Sequence, residues 1–230
     1  MKAWIVKPRS TRFRFLACLL AGVVPAAVVL LAYGLNLRAG LAGCNVFWDG
    51  CLSVSRAVRS GPGLGWFKAA AFPTAAAMAW TFWSWPRPPS TRWIAGAGLV
   101  GAASFLVYAV ALGTDGDGYR WMRRYGVVFY FAGIGLAQLL LARGFLKHRE
   151  TLRGAPATGP FTAYLGLLGV TWGTGILSAF KRRLIDDPAL VDRLQNVLEW
   201  VFAGGLSALF IALAFLVPVR PGSGEPRAGK

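Results

Sequence analysis

The chain has 230 residues, of which 56% are hydrophobic and 15% charged, whereas a soluble domain carries about a quarter charged residues. Its net charge of +16 comes without a basic helix or nucleic-acid motif; basic residues flanking apolar spans instead match anionic headgroups, and nucleic acid is excluded as a partner. One histidine in the whole chain, His148, is too few for a membrane-embedded zinc hydrolase, and no span carries the mid-helix lysine of a retinal protein.

Six windows nearly free of charge run along the chain, at about 15–35, 67–86, 93–112, 125–143, 160–180 and 198–218. Each holds about 18 residues or more, enough for a helix to cross a hydrocarbon core of about 30 Å. In lipid a helix satisfies its own backbone hydrogen bonds. The expected fold class is therefore all-α: a polytopic membrane protein built as one six-helix transmembrane bundle over residues 1–219. The first window follows a basic leader (Lys2, Lys7, Arg9, Arg12, Arg14). At 21 residues it exceeds the h-region of a cleaved signal peptide, about 7–15 residues, so it is read as a retained first helix. No internal repeat is visible, and residues 220–230, rich in Pro, Gly and charge, read as a disordered cytoplasmic tail.

Of the 25 Lys and Arg, 14 fall on the side of the termini and 11 on the other side, which places both termini in the cytoplasm. Seven of the nine acids lie in the segments assigned outside. The expected localisation is the cytoplasmic membrane of a bacterium, or a secretory-pathway or plasma membrane in a eukaryote.

The chemistry-bearing residues gather at the outer ends of the helices. The first outer loop contains "CNVFWDGCLSVSR", residues 44–56. In an oxidising compartment Cys44 and Cys51 can form a disulfide, while Cys18 within the first span reads as a small apolar residue. Ser53, Ser55 and Arg56 follow. Asp117, Arg120, Arg123 and Arg124 lead into the fourth span, Lys181 ends the fifth, and Asn196, Glu199 and Trp200 open the sixth. Taken singly, the arginines read as interfacial anchors and Glu199 as a response to the helix dipole. Taken together, the cations match a phosphate, for which Arg offers bidentate donors, and Glu199 is the candidate catalytic base or Arg partner. The other ten are candidate substrate contacts. The sequence lacks GxSxG, P-loop, GxGxxG and CxxC patterns; no metal or cofactor is expected.

Three of these segments resemble the FRAG/DRAM/Sfk family of membrane proteins. "CNVFWDGCLSVSRAV" is similar to the first lumenal loop, in which a Cys precedes a Pro-Ser-Val-Ser motif; Leu52 stands here in the place of the proline. "ALGTDGDGYRWMRRYGVVFYF" is similar to the junction of the third and fourth helices, with Gly126 matching and Arg123 where the family has His. "LSAFKRRLIDDPALVDRLQNVLEWVFAG" is similar to the fifth-to-sixth segment, with Glu199-Trp200 as its Glu-aromatic pair. The resemblance implies six spans, cytoplasmic termini and a membrane lipid or lipid-linked substrate at the outer leaflet. Its members are linked to remodelling of GPI anchors, ceramide exchange and phospholipid organisation. Lipid remodelling, by acyl or headgroup exchange, is the leading expectation, either as the enzyme or as an essential component of one. A non-enzymatic lipid-binding scaffold is the alternative, and a small transporter a weaker one; the spans show neither mid-membrane charge nor an inverted repeat.

Overall fold

A computed structural model describes residues 8–41, 43–85, 92–147 and 158–216. The tail at 220–230 and His148 lie outside the described residues. Seven helices follow one another: α1 (Pro8–Arg38), α2 (Val54–Arg59), α3 (Gly63–Ser84), α4 (Arg92–Ala111), α5 (Asp117–Lys147), α6 (Thr158–Leu184) and α7 (Pro188–Leu216). No strand occurs among the described residues. Five of the helices (α1, α4, α5, α6 and α7) are long and apolar enough to cross a membrane. That is the pattern of a multi-pass membrane protein. The window expected at 67–86 forms α3, 22 residues long. Its tryptophans, threonines and proline keep it outside that set of five, although it lies in the core between α1 and α4.

Several helices begin well before their apolar windows. The helix around 125–143 starts at Asp117, and the one around 198–218 starts at Pro188. Hydropathy marks only the part of a helix suited to hydrocarbon; the polar turns beyond it keep helical hydrogen bonds. Local chemistry sets the start of α7. The Asp187 carboxylate accepts the Ala189 N–H at 2.9 Å, and Pro188 sits where a missing N–H costs nothing.

Neighbours run α5–α4–α3–α1–α7–α6, an arc in which α5 meets α6 and α7 far more sparsely than it meets α4. Small residues explain the tight α4–α5 seam. A methyl group placed on Gly133 would lie 2.7 Å from the Gly101 nitrogen, and one on Gly126 2.9 Å from the Tyr108 nitrogen. Such close approach lets backbones pack where lipid offers no hydrophobic drive. Between α5 and α6 the contacts concentrate away from the disulfide end. Phe145 packs edge-on against Phe161 and Tyr164, and the Tyr164 hydroxyl donates to Gln138 Oε1 at 2.6 Å.

Gly133→Ala should lower the melting temperature of the detergent-solubilised protein, at a cost of about 1–3 kcal/mol from overpacking. Gly169→Ala, where nothing stands within 4 Å of the added carbon, should leave it unchanged or raised. Scanning fluorimetry of the two variants beside the parent makes the comparison.

Candidate functional site

Residues 43–53 and α2 form a small roof over one end of the bundle, and its own sequence shapes it. Asn45 and Asp49 close a tight turn: Asp49 Oδ2 accepts the Asn45 N–H at 2.8 Å, and Asn45 Oδ1 accepts the Phe47 N–H at 3.0 Å. Cys44 and Cys51 are joined by a disulfide with their Cα atoms 6.5 Å apart. Gly50 adopts φ +60° beside the Arg193 carbonyl, where a side chain would collide with α7. Ser53 then caps α2, its hydroxyl accepting the Arg56 N–H at 3.2 Å.

One turn of α7 grips this roof by its backbone. Asn196 donates to the Gly50 carbonyl at 2.7 Å and the Trp200 indole donates to the Leu52 carbonyl at 2.8 Å. Glu199 Oε1 accepts the Ser55 N–H at 3.0 Å. These three side chains share a helix face because they stand at positions i, i+3 and i+4. Trp200 is 4% exposed, and the rings of Tyr33 and Phe47 meet it edge-on at 5.6 and 5.5 Å. From α1, Tyr33 donates to the Cys44 carbonyl at 2.6 Å and Asn36 to the Ala57 carbonyl at 2.8 Å. The roof is thus tied to α1 and α7 by side chains that complete its backbone hydrogen bonds.

Beneath α2 the polar groups converge from four elements. Half-buried Glu199 has Arg56 and Arg59 within electrostatic range, and Tyr108 of α4, 6% exposed, lies beside Ser55 with Glu199, Arg59 and Tyr130 of α5 near it. The Glu199 Oε1 atom is engaged with the roof through the Ser55 N–H. A carboxylate anchored by one oxygen keeps the other for a ligand's donor or for proton transfer, and the Tyr108 phenol can donate or accept beside it. No group of three or more His, Cys, Asp or Glu suited to a metal occurs among the described residues.

The expected site residues therefore divide. Ser53, Ser55, Arg56, Asn196, Glu199 and Trp200 come together at the junction of α2 and α7. Within that group Asn196 and Trp200 spend their donors on the roof's backbone, and Arg56 pairs with Asp192 at 3.6 Å on the exposed surface, an ion pair worth little. Asp117 and Arg120 pair with each other at 3.1 Å in the first turn of α5. Arg123 donates to the carbonyls of Ala111 and Thr114, stapling the α4–α5 turn. Arg124 is exposed, and Lys181 donates to the Ser178 carbonyl at 2.6 Å at the end of α6. Tyr108, Tyr130 and Arg59 join the cluster without having been singled out in the sequence. A phenol inside an otherwise apolar span was the available signal, since a buried tyrosine hydroxyl usually seeks a partner.

No family model matches the chain, and no curated protein or solved structure matches it.

Asn196→Ala leaves the buried Gly50 carbonyl without its donor, a loss of about 1–3 kcal/mol. Hydrogen exchange across residues 44–58 should accelerate in this variant and the disulfide should reduce faster, with exchange in α4 and α5 unaltered. Equal exchange in the roof of both proteins would contradict the grip assigned to α7.

Proposed function

We propose that this chain is an integral membrane protein that acts on lipids or lipid-linked molecules in the leaflet facing the roof. The reaction class is lipid remodelling, by acyl or headgroup exchange, performed by this chain or by a complex in which it is essential. Alpha3 serves as a sixth span beside the five apolar helices, both termini face the cytoplasm, and the roof faces outward. The observation that carries the reading is the position of Glu199: a carboxylate fixed by one oxygen to the Ser55 N–H, at the end of an apolar bundle, beside Ser55 and Tyr108. An ionisable residue so placed in a membrane helix is expensive to keep and points to a site. The resemblance of residues 44–58, 111–131 and 177–204 to the FRAG/DRAM/Sfk family supports the same substrate class.

In this reading Glu199 takes a proton from, or holds, a hydroxyl or amine of the lipid headgroup, and Ser55 contacts the substrate. Arg56 and Arg59 supply positive charge at the rim. A second reading, a lipid-binding scaffold without catalysis, is favoured by a specific observation: Asn196, Glu199 and Trp200 all bond the roof. No histidine stands among the described residues to activate a serine nucleophile.

Glu199→Gln separates the two roles because the amide oxygen still accepts the Ser55 N–H while the carboxylate is gone. Deletion of the gene should change the lipid profile of the membrane, and the parent chain should restore it. Glu199→Gln should restore it at a rate reduced roughly a hundredfold or more, the scale of a lost general base, with roof hydrogen exchange unchanged. An unaltered lipid profile on deletion sinks the remodelling reading. Full restoration by Glu199→Gln removes the acid–base role.

A further inference from the structure

The arc of helices leaves one seam incompletely closed, and that seam has a polarity. Its floor is packed: the Trp172 ring of α6 is near Gly135 of α5, and Phe131 of α5 meets Phe202 of α7 at 4.9 Å. Above that floor, toward the roof, no ring contact or side-chain hydrogen bond joins α5 to α6 among the described residues. Helical register places two arginines on the facing sides of this stretch. Arg124 lies two turns beyond Phe131 on the same stripe of α5, and Arg183 lies three turns beyond Trp172 on the same stripe of α6. Gly126 packs on the Tyr108 backbone, so Arg124 stands at the level of the cluster beneath α2. Both arginines are exposed, and neither makes an ion pair among the described residues, where Arg56–Asp192 and Arg120–Asp117 are the pairs present. Between them and the floor the walls are apolar, with Val128 and Ile176 53% and 55% exposed.

We propose that the roof-side half of the α5–α6 seam is a lateral docking site for a phosphate-bearing lipid. Its acyl chain lies along the apolar walls and its phosphate lies between Arg124 and Arg183. This deepens the proposed function, and it rests on the reading that substrate reaches the Glu199 cluster from the surrounding leaflet. Two unpaired guanidinium groups above an apolar groove complement a phosphate attached to a hydrocarbon chain, because each can grip two oxygens at once. A soluble phosphate would gain nothing from the groove, and an uncharged lipid nothing from the arginines.

The test uses the full chain in a mild detergent, with bound lipid counted by native mass spectrometry. The probes are dioleoylphosphatidylglycerol, dioleoylglycerol and glycerol 3-phosphate. Dioleoylphosphatidylglycerol should bind, and the double variant Arg124→Gln/Arg183→Gln should weaken it about tenfold, the effect of losing charge-assisted hydrogen bonds. The control pair Arg38→Gln/Arg182→Gln, both exposed and given no role in binding, should bind as the parent does. Ala179→Trp, which fills the seam and keeps both arginines, should weaken binding similarly while the protein stays monodisperse. Equal binding of dioleoylglycerol, retention by the double variant, or the same loss in the control pair would each overturn the proposal. So would glycerol 3-phosphate binding as tightly as the lipid, which identifies a free-phosphate site. The two readings fail separately. A deletion strain with unaltered lipids, alongside Arg124- and Arg183-dependent binding, removes remodelling and leaves the docking site. Arginine-independent binding, alongside a Glu199→Gln defect, does the reverse.

Discussion

Glu199 accepting the Ser55 N–H joins positions 144 residues apart and fixes how the roof sits on the bundle. The roof is too small to be stable alone: α2 has six residues, and the buried cluster beneath it is little more than Val46, Ala57 and Trp200. Its order comes from the long helices, which supply hydrogen-bond partners for its backbone. Asn196, Glu199 and Trp200 do this from α7, and Tyr33 and Asn36 from α1. The disulfide adds to the same end by limiting the unfolded loop. Both α1 and α7 flank the roof, and they are also neighbours in the arc. Clamping the roof therefore ties together helices that already pack.

The same construction explains why the seams differ. Where glycines face backbones, as at Gly126 and Gly133, α4 and α5 approach closely and leave no room for lipid. Along α5 and α6 contact is made by large rings, Trp172, Phe145 and Phe161, reaching across a wider gap. Rings bridge two helices only at the levels where they occur. Away from those levels the helices are free to stand apart, and here that falls on the roof side.

Much of this was legible in the sequence, and the reasons for the rest are physical. Long apolar windows announce helices because lipid permits little else, and the disulfide partners were legible from their loop and its expected compartment. The starts of α5 at Asp117 and α7 at Pro188 were not, because polar helical turns outside hydrocarbon carry no hydropathy signal. Nor was α2, which is six residues long and held by tertiary contacts. Glu199 could be singled out as an acid at the mouth of the bundle, but its partner could not, since nothing local links it to Ser55. Arg123 illustrates the converse. In sequence it is one of three clustered cations suited to a ligand; in the fold its guanidinium satisfies the carbonyls of Ala111 and Thr114. Tyr108 reads as an ordinary core aromatic until the fold brings it beside a carboxylate, with Tyr130 next to it.

On the proposed function, these constraints set the route by which a lipid would reach that carboxylate. From the aqueous side the way is covered by α2 and the disulfide turn, and opening it means breaking several buried hydrogen bonds at once, including those of Asn196 and Trp200. From the opposite end the path is filled by Phe145, Phe161 and Tyr164. The tight α4–α5 seam leaves no gap. On that reading a ligand that is itself a component of the leaflet needs none of these routes, because the roof-side walls between α5 and α6 are apolar and exposed, as at Val128 and Ile176. On the proposed function a firmly held roof and an open flank are complementary: the first would cover the Glu199 cluster, and the second would admit lipid to it. A polar headgroup entering sideways would exchange its hydration for the carboxylate, the Tyr108 phenol and the rim arginines, while its chain never leaves an apolar environment.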